Sequence, residues 1–145
     1  MSDDQSKEEE RLNSIAVEIR VLENTFNEMT SRQNLLERAL IENKAALEAM
    51  KGLSDEKPDD VLLQIGGGAM LRASPPSSDT VLINVGSNVV IEKRREEATA
   101  ILEGRVREIE KSAMSVLEQR NQIAERLEAD RQLLESILAR SGQKG

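Results

Sequence analysis

The amino-acid sequence predicts an α+β, mainly α fold: a long antiparallel two-helix coiled coil with two β-hairpins inserted between the helices. Three observations carry that prediction. Apolar residues recur at alternating spacings of three and four over residues 12–50 and again over 102–137. Between these blocks, residues 61–93 are rich in Val and Ile, and hold only Arg72 and Asp79 as charges before Glu92 and Lys93, in a chain that is 32% charged overall. Finally, 145 residues with one Phe and no Trp or Tyr lack the large aromatic side chains that fill a compact core. Abundant Glu, Arg, Leu and Ala match long amphipathic helices instead.

The first helix is expected over residues 5–53. Leu12, Ile15, Ile19, Leu22, Phe26, Met29, Gln33, Leu36, Leu40, Asn43, Leu47 and Met50 follow the 3-4 spacing, and ten of the twelve are apolar. Such a narrow stripe, sustained for more than five heptads with polar residues between, specifies a seam for one partner helix. Gly52 and the following LSDEKPDD predict a C-terminal cap, a turn and a helix-stopping proline.

The insert, residues 61–92, reads as two hairpins. VLLQI and AMLRA flank GGG, while TVLINV and VVIEK flank GSN, and β-branched runs around short Gly or Asn turns are hairpin signals. SPPSSD joins them, with Pro75 and Pro76 excluded from a central ladder. Alternation places Val61, Leu63 and Ile65 on one face, as it does Val81, Ile83 and Val85, then Val89 and Ile91; Leu62, Leu82 and Val90 lie on the other. Both faces are apolar. Isolated hairpins are marginal in water, so these strands are expected to complete a sheet with other chains.

The second helix is expected over 93–140. Its seam reads Leu102, Val106, Ile109, Ala113, Val116, Arg120, Ile123, Leu127, Asp130, Leu134 and Ile137, nine of eleven being apolar. If the insert reverses the chain, residues whose numbers sum to about 150 face one another along an arm of roughly 60 Å. Gln33 then falls near Arg120. Asn43 and Asp130 have no obvious mate, and polar seam residues of this kind fix register at some cost in stability. Gly104 costs about 1 kcal/mol against Ala in a helix interior; it reads as a tolerated surface glycine.

Composition excludes several functions. The net charge of -7 lies wholly in residues 1–60, with 15 acidic and 8 basic side chains, whereas residues 61–145 balance at 12 and 12. An acidic chain without a basic face is unsuited to nucleic acid. No apolar run reaches the roughly 20 residues of a membrane span, and MSDDQSKEEE lacks the basic and apolar regions of a signal peptide, which predicts no membrane partner and a cytoplasmic location. With no His and no Cys, the commonest general base, thiolate and transition-metal ligands are missing, so neither an enzyme nor a cofactor-binding or metal-binding protein is expected. GGGAML lacks the Gly-Lys-Ser/Thr of a phosphate loop. EKRREE, at 92–97, reads as a solvated helix start rather than a nucleic-acid patch.

A helix, two consecutive hairpins and a second helix, with LLQIGGGAMLRA as the first hairpin and DTVLINVGSNVVIEK leading into the second helix, together resemble the alpha-type prefoldin family, especially its archaeal members. The likeness spans nearly the whole chain, and VLINVGSNVVIEK is its specific part. Two hairpins rather than one resemble the alpha type and not the beta type; the double proline departs from the pattern. The resemblance implies a single prefoldin-type domain that assembles, two alpha with four beta-type subunits, through hairpins contributing to an intersubunit β-barrel. Oligomerisation is then expected at Val61, Leu63, Ile65, Leu71, Val81, Ile83, Val85, Val89 and Ile91. It further implies an ATP-independent holdase that captures unfolded polypeptides at the arm tips and delivers them to a group II chaperonin. At the tips, Leu12, Ile15, Leu134 and Ile137 of the seam and Val17, Val21, Leu133 and Leu138 beside it form the expected client surface. Since Leu35, Ile41, Ile101 and Leu117 also lie off the seam, the choice of the tips follows from the resemblance. The alternative is a structural coiled-coil scaffold that oligomerises through its hairpins and holds fixed partners.

Overall fold

Good helix formers dominate both ends of the chain, and each end folds into one unbroken helix. The computed structural model describes residues 2–55, 60–74 and 79–143. Helix α1 (Ser2–Asp55) is followed by strands β1 (Val61–Gly66), β2 (Ala69–Ala73), β3 (Thr80–Asn84) and β4 (Val90–Arg94), then by helix α2 (Arg95–Gln143). The strands form two separate antiparallel hairpins, β1–β2 and β3–β4. The expected turn and proline at 56–59, and the Pro75–Pro76 connector at 75–78, lie outside the described residues.

Packing divides the chain into two compact units, one running to Arg38 in α1 and resuming at Glu110 in α2, the other spanning Ala39–Ile109. In the first unit the helices bury the predicted seam. Ile15, Val116, Leu127, Asp130 and Ile137 are buried, and the other seam residues of this unit are half-buried. Arg120 Nη1 donates to Gln33 Oε1 at 3.0 Å, which fixes the antiparallel register the numbering predicts. The same guanidinium lies 4.7 Å from the centroid of Phe26, so the chain's single aromatic ring covers the polar site from one side.

The second unit is centred on Ile83, Ala98 and Leu102, with Ala46, Leu47, Met50, Val81, Ile91 and Ile101 packed around them. Ala98 is fully buried, so α2 meets the β3–β4 sheet there through a methyl group. Asn43, unmated across the seam, donates to Ala39 O of its own helix at 2.7 Å.

Helix α1 does not stop at Gly52. That residue has no left-handed φ and lies within the helix, which continues to Asp55. Arg95 Nη1 reaches Leu53 O at 3.0 Å and supplies from outside the donor that a glycine cap would have supplied locally. The start of α2 also differs from the expected residue 93. Strand β4 runs through Arg94, because Val81 and Thr80 pair with Lys93 and Arg94, and Arg95 N extends the contact to Asp79 O at 2.8 Å. Glu92, Lys93 and Arg94 are therefore strand residues, and EKRREE is only in its second half a helix start.

Candidate functional site: the hairpins and the helix ends

Turn chemistry sets both hairpins. Gly67 and Gly68 have φ of 59° and 80°, while Ser87 and Asn88 have φ of 50° and 60°. Paired left-handed residues are the signature of a type I′ turn, whose twist matches that of the strands it joins. Val89 N closes the second turn on Gly86 O at 2.9 Å, and Asn84 Oδ1 accepts from Gly86 N at 2.8 Å. In the first hairpin the register shifts between Gln64 and Gly66. Ile65 occupies that bulge, so strict alternation from Val61 and Leu63 does not extend to it.

The hairpins differ in what covers them. In β1–β2, Leu63 faces Leu71 across the ladder and Leu62 faces Arg72, and Leu62, Leu63, Ile65, Met70 and Leu71 are all exposed. Apolar side chains thus stand open on both faces. In β3–β4 one face is filled within the chain: Ile83 is buried, and Val81 and Ile91 pack against the same core. These three were expected to meet other subunits, yet they hold the sheet to the chain's own helices. Leu82, at 74% exposure, and Val90 stand open on the other face, and Val85 and Val89 are exposed at the turn end of the hairpin. Alternation in the sequence separates Leu82 and Val90 from Ile83 and Ile91; it does not say which set the helices cover.

At the helix ends the expected client residues divide in the same way. Ile15 and Ile137 are buried in the seam, and Leu12, Leu133 and Leu134 are half-buried. Val17, Val21 and Leu138 remain open, at 60%, 56% and 54% exposure. Leu35 and Met114, away from the ends, are equally open.

Charged side chains bracket the same helix pair. Arg126 Nε lies 2.8 Å from Glu18 Oε1 and 3.6 Å from Asp130 Oδ1, while Arg131 Nη2 reaches Glu23 Oε1 at 3.0 Å. The hydrogen bond from Arg126 holds the Glu18 carboxyl below its ordinary range, and in return Glu18 raises Arg126. Asp130 moves the other way. Burial pushes its carboxyl up, the neighbouring Glu18 carboxylate adds to the effect, and Arg126 opposes it. Sequence spacing marks Asp130 as a polar seam residue, and the signal for its neighbours lies in the antiparallel register, which brings Glu18 opposite, and in the four-residue spacing to Arg126.

Among the described residues no group of three or more acidic, Cys or His side chains is placed to hold a metal ion. No described helix is long and apolar enough to cross a membrane.

Two long helices joined through two β-hairpins with open apolar side chains define the class of chain this is, a helical pair that carries exposed strands. The chain belongs to the prefoldin family of chaperone co-factors, as an alpha-type member: the family model for prefoldin subunits matches residues 22–143. Prefoldin subunit alpha of Methanoregula boonei is 43% identical over 101 residues, covering 65% of this chain and 66% of that protein. Prefoldin subunit alpha of Methanoculleus marisnigri is 34% identical over 126 residues, 77% of this chain and 85% of the relative. That of Nitrosopumilus maritimus is 27% identical over 94% of both chains. Among solved structures, the prefoldin beta subunit from Thermococcus strain KS-1 has the same fold, with a TM-score of 0.62 at 16% identity over 87% of this chain and 90% of that one.

Proposed function

We propose that the chain is the alpha-type subunit of an ATP-independent holdase, assembled in the cytoplasm as two alpha with four beta-type prefoldin subunits. The observation that carries this reading is the apolar surface left open on both hairpins. Fully burying one Leu, Ile or Met side chain contributes about 1.5–3 kcal/mol. Leu62, Leu63, Ile65, Met70 and Leu71 therefore supply a strong drive for strand addition by neighbouring subunits, with closure of a β-barrel as the way to leave no open edge. Leu82, Val85, Val89 and Val90 extend that surface on the second hairpin.

Unfolded polypeptides are captured at the start of α1 and the end of α2, where Val17, Val21 and Leu138 are open and the half-buried Leu12, Leu133 and Leu134 flank them. A small, dispersed apolar surface suits weak binding of many unrelated segments better than tight binding of one. Captured chains pass to a group II chaperonin. The open Leu35 and Met114 favour a second reading, a scaffold that holds fixed partners along the helices.

Light scattering from a chemically unfolded model protein, without ATP, separates the two. The chain mixed with a beta-type prefoldin subunit is expected to suppress aggregation, and a truncated chain lacking the first 21 and last 13 residues is expected to assemble without suppressing it. A complete assembly that leaves aggregation unchanged replaces the holdase with the scaffold.

A further inference from the structure

One carboxylate lies in the seam without a full set of partners. Asp130 is 5% exposed, at a position where Leu127, Leu134 and Ile137 continue the apolar stripe. Its Oδ1 is 3.6 Å from Arg126 Nε, but that nitrogen is engaged by Glu18 at 2.8 Å. Its Oδ2 is buried with no hydrogen-bond partner. Two carboxylates, one from each helix, thus compete for one guanidinium nitrogen. The charged groups that face Asp130 are Glu18 from α1 and Arg126 from its own helix; Glu23 and Arg131 are satisfied by each other at 3.0 Å.

We propose that Asp130 is a protonation switch in this helix pair: protonated, it closes the seam by donating to Glu18; ionised, it leaves a buried charge that loosens the helices from there to their ends. A carboxyl group is the one seam residue that can change from a donor compatible with Glu18 into an acceptor that is not. The direction of the titration agrees, since burial and Glu18 both raise Asp130. A proton held more tightly in the folded chain than in the unfolded one strengthens pairing at pH values below the raised pKa, and the gain is lost as pH rises through it. Glu18 acts oppositely and at lower pH, because Arg126 holds its carboxyl down.

Beyond the switch lie Leu134 and Ile137 on α2, with Ile15 on the opposing helix. Loosening bares them, so the apolar surface offered at the helix ends grows as the carboxyl ionises. Only this last consequence rests on the proposed capture of unfolded chains; the switch itself does not.

Amide hydrogen exchange of the full-length chain tests the switch without any client. The wild type and Asp130→Asn are compared from about pH 4 to pH 8, with rates referred to the intrinsic chemistry at each pH. At the upper end, wild-type segments 12–19 and 127–137 are expected to exchange roughly tenfold faster than those of Asp130→Asn, the opening expected of an unpaired buried charged acceptor. At the lower end the two are expected to coincide. Equal exchange at every pH, or a difference that does not change with pH, overturns the switch. A holdase assay that fails while the exchange difference persists removes the capture reading alone.

Discussion

Arg95 joins three segments that are far apart in sequence. Its guanidinium caps Leu53 O at 3.0 Å and approaches Asp79 Oδ1 at 3.4 Å, its backbone N–H donates to Asp79 O, and its carbonyl accepts from Thr99 Oγ1 at 2.8 Å. The Asp79 carboxylate is largely solvated, so the ion pair contributes little. The cap matters more, because it satisfies a carbonyl in the last turn of α1 from a half-buried side chain. Arg95→Ala is therefore expected to destabilise the fold by about 1–2 kcal/mol in thermal unfolding. Arg95→Lys is expected to recover only part of the loss, since one ammonium cannot reproduce the fork that serves both partners. Full recovery by Lys assigns the effect to charge alone and removes the cap from the account. Nothing in the sequence near residue 95 announces this role. The local reading of EKRREE saw a charge run, because the two acceptors come from segments 42 and 16 residues away.

The helices and hairpins follow closely from local pattern, and their deviations have identifiable causes. Every seam residue predicted from 3-4 spacing is buried or half-buried, because a helix pair reads only the residues on its inner face. The strands lie where β-branched runs flank the Gly-rich and GSN turns. What the pattern could not supply was tertiary: the external cap that carries α1 past Gly52, the bulge at Ile65, and the choice of which β3–β4 face the helices cover. For the candidate site this meant that an apolar strand was legible as such, whereas its inward and outward faces were not. Gly104 tests the helical part directly. It sits inside α2, where an added Cβ would have only Arg107 Nη2 nearby, at 3.8 Å. That is ordinary contact with the end of a flexible side chain, so nothing opposes the propensity gain. Gly104→Ala is expected to stabilise the chain by about 0.5–1 kcal/mol in chemical denaturation. An unchanged or lowered midpoint means that the helix needs the glycine for a packing reason absent from the single chain.

For the whole molecule, the central question is whether the open strand surface belongs to folding or to assembly, and the two hairpins allow these to be separated. Leu71 on β2 and Leu82 on β3 are exposed in the single chain, whereas Ile83, next to Leu82, is buried in the core. A Glu in place of either exposed leucine enters no core, but each meets a cross-strand neighbour, Leu63 opposite residue 71 and Glu92 opposite residue 82, so each change costs up to about 1 kcal/mol. The double substitution Leu71→Glu with Leu82→Glu is accordingly expected to leave helical circular dichroism unchanged and to lower thermal unfolding far less than a charge placed in the core. In a subunit interface the same two carboxylates would be buried without partners, at a cost that apolar burial nearby does not offset. Native mass spectrometry after mixing with a beta-type prefoldin subunit is thus expected to show the hetero-oligomer with the wild type and only separate subunits with the variant. Ile83→Glu is the contrasting case: it charges the core shared with Ala98 and Leu102, and is expected to lower stability before any partner is added. If the Leu71→Glu, Leu82→Glu chain assembles as the wild type does, the exposed hairpin faces are not the subunit interface. If it unfolds as readily as Ile83→Glu, the strand surface serves the single chain's own stability, and the physical basis for assembly through the hairpins is lost.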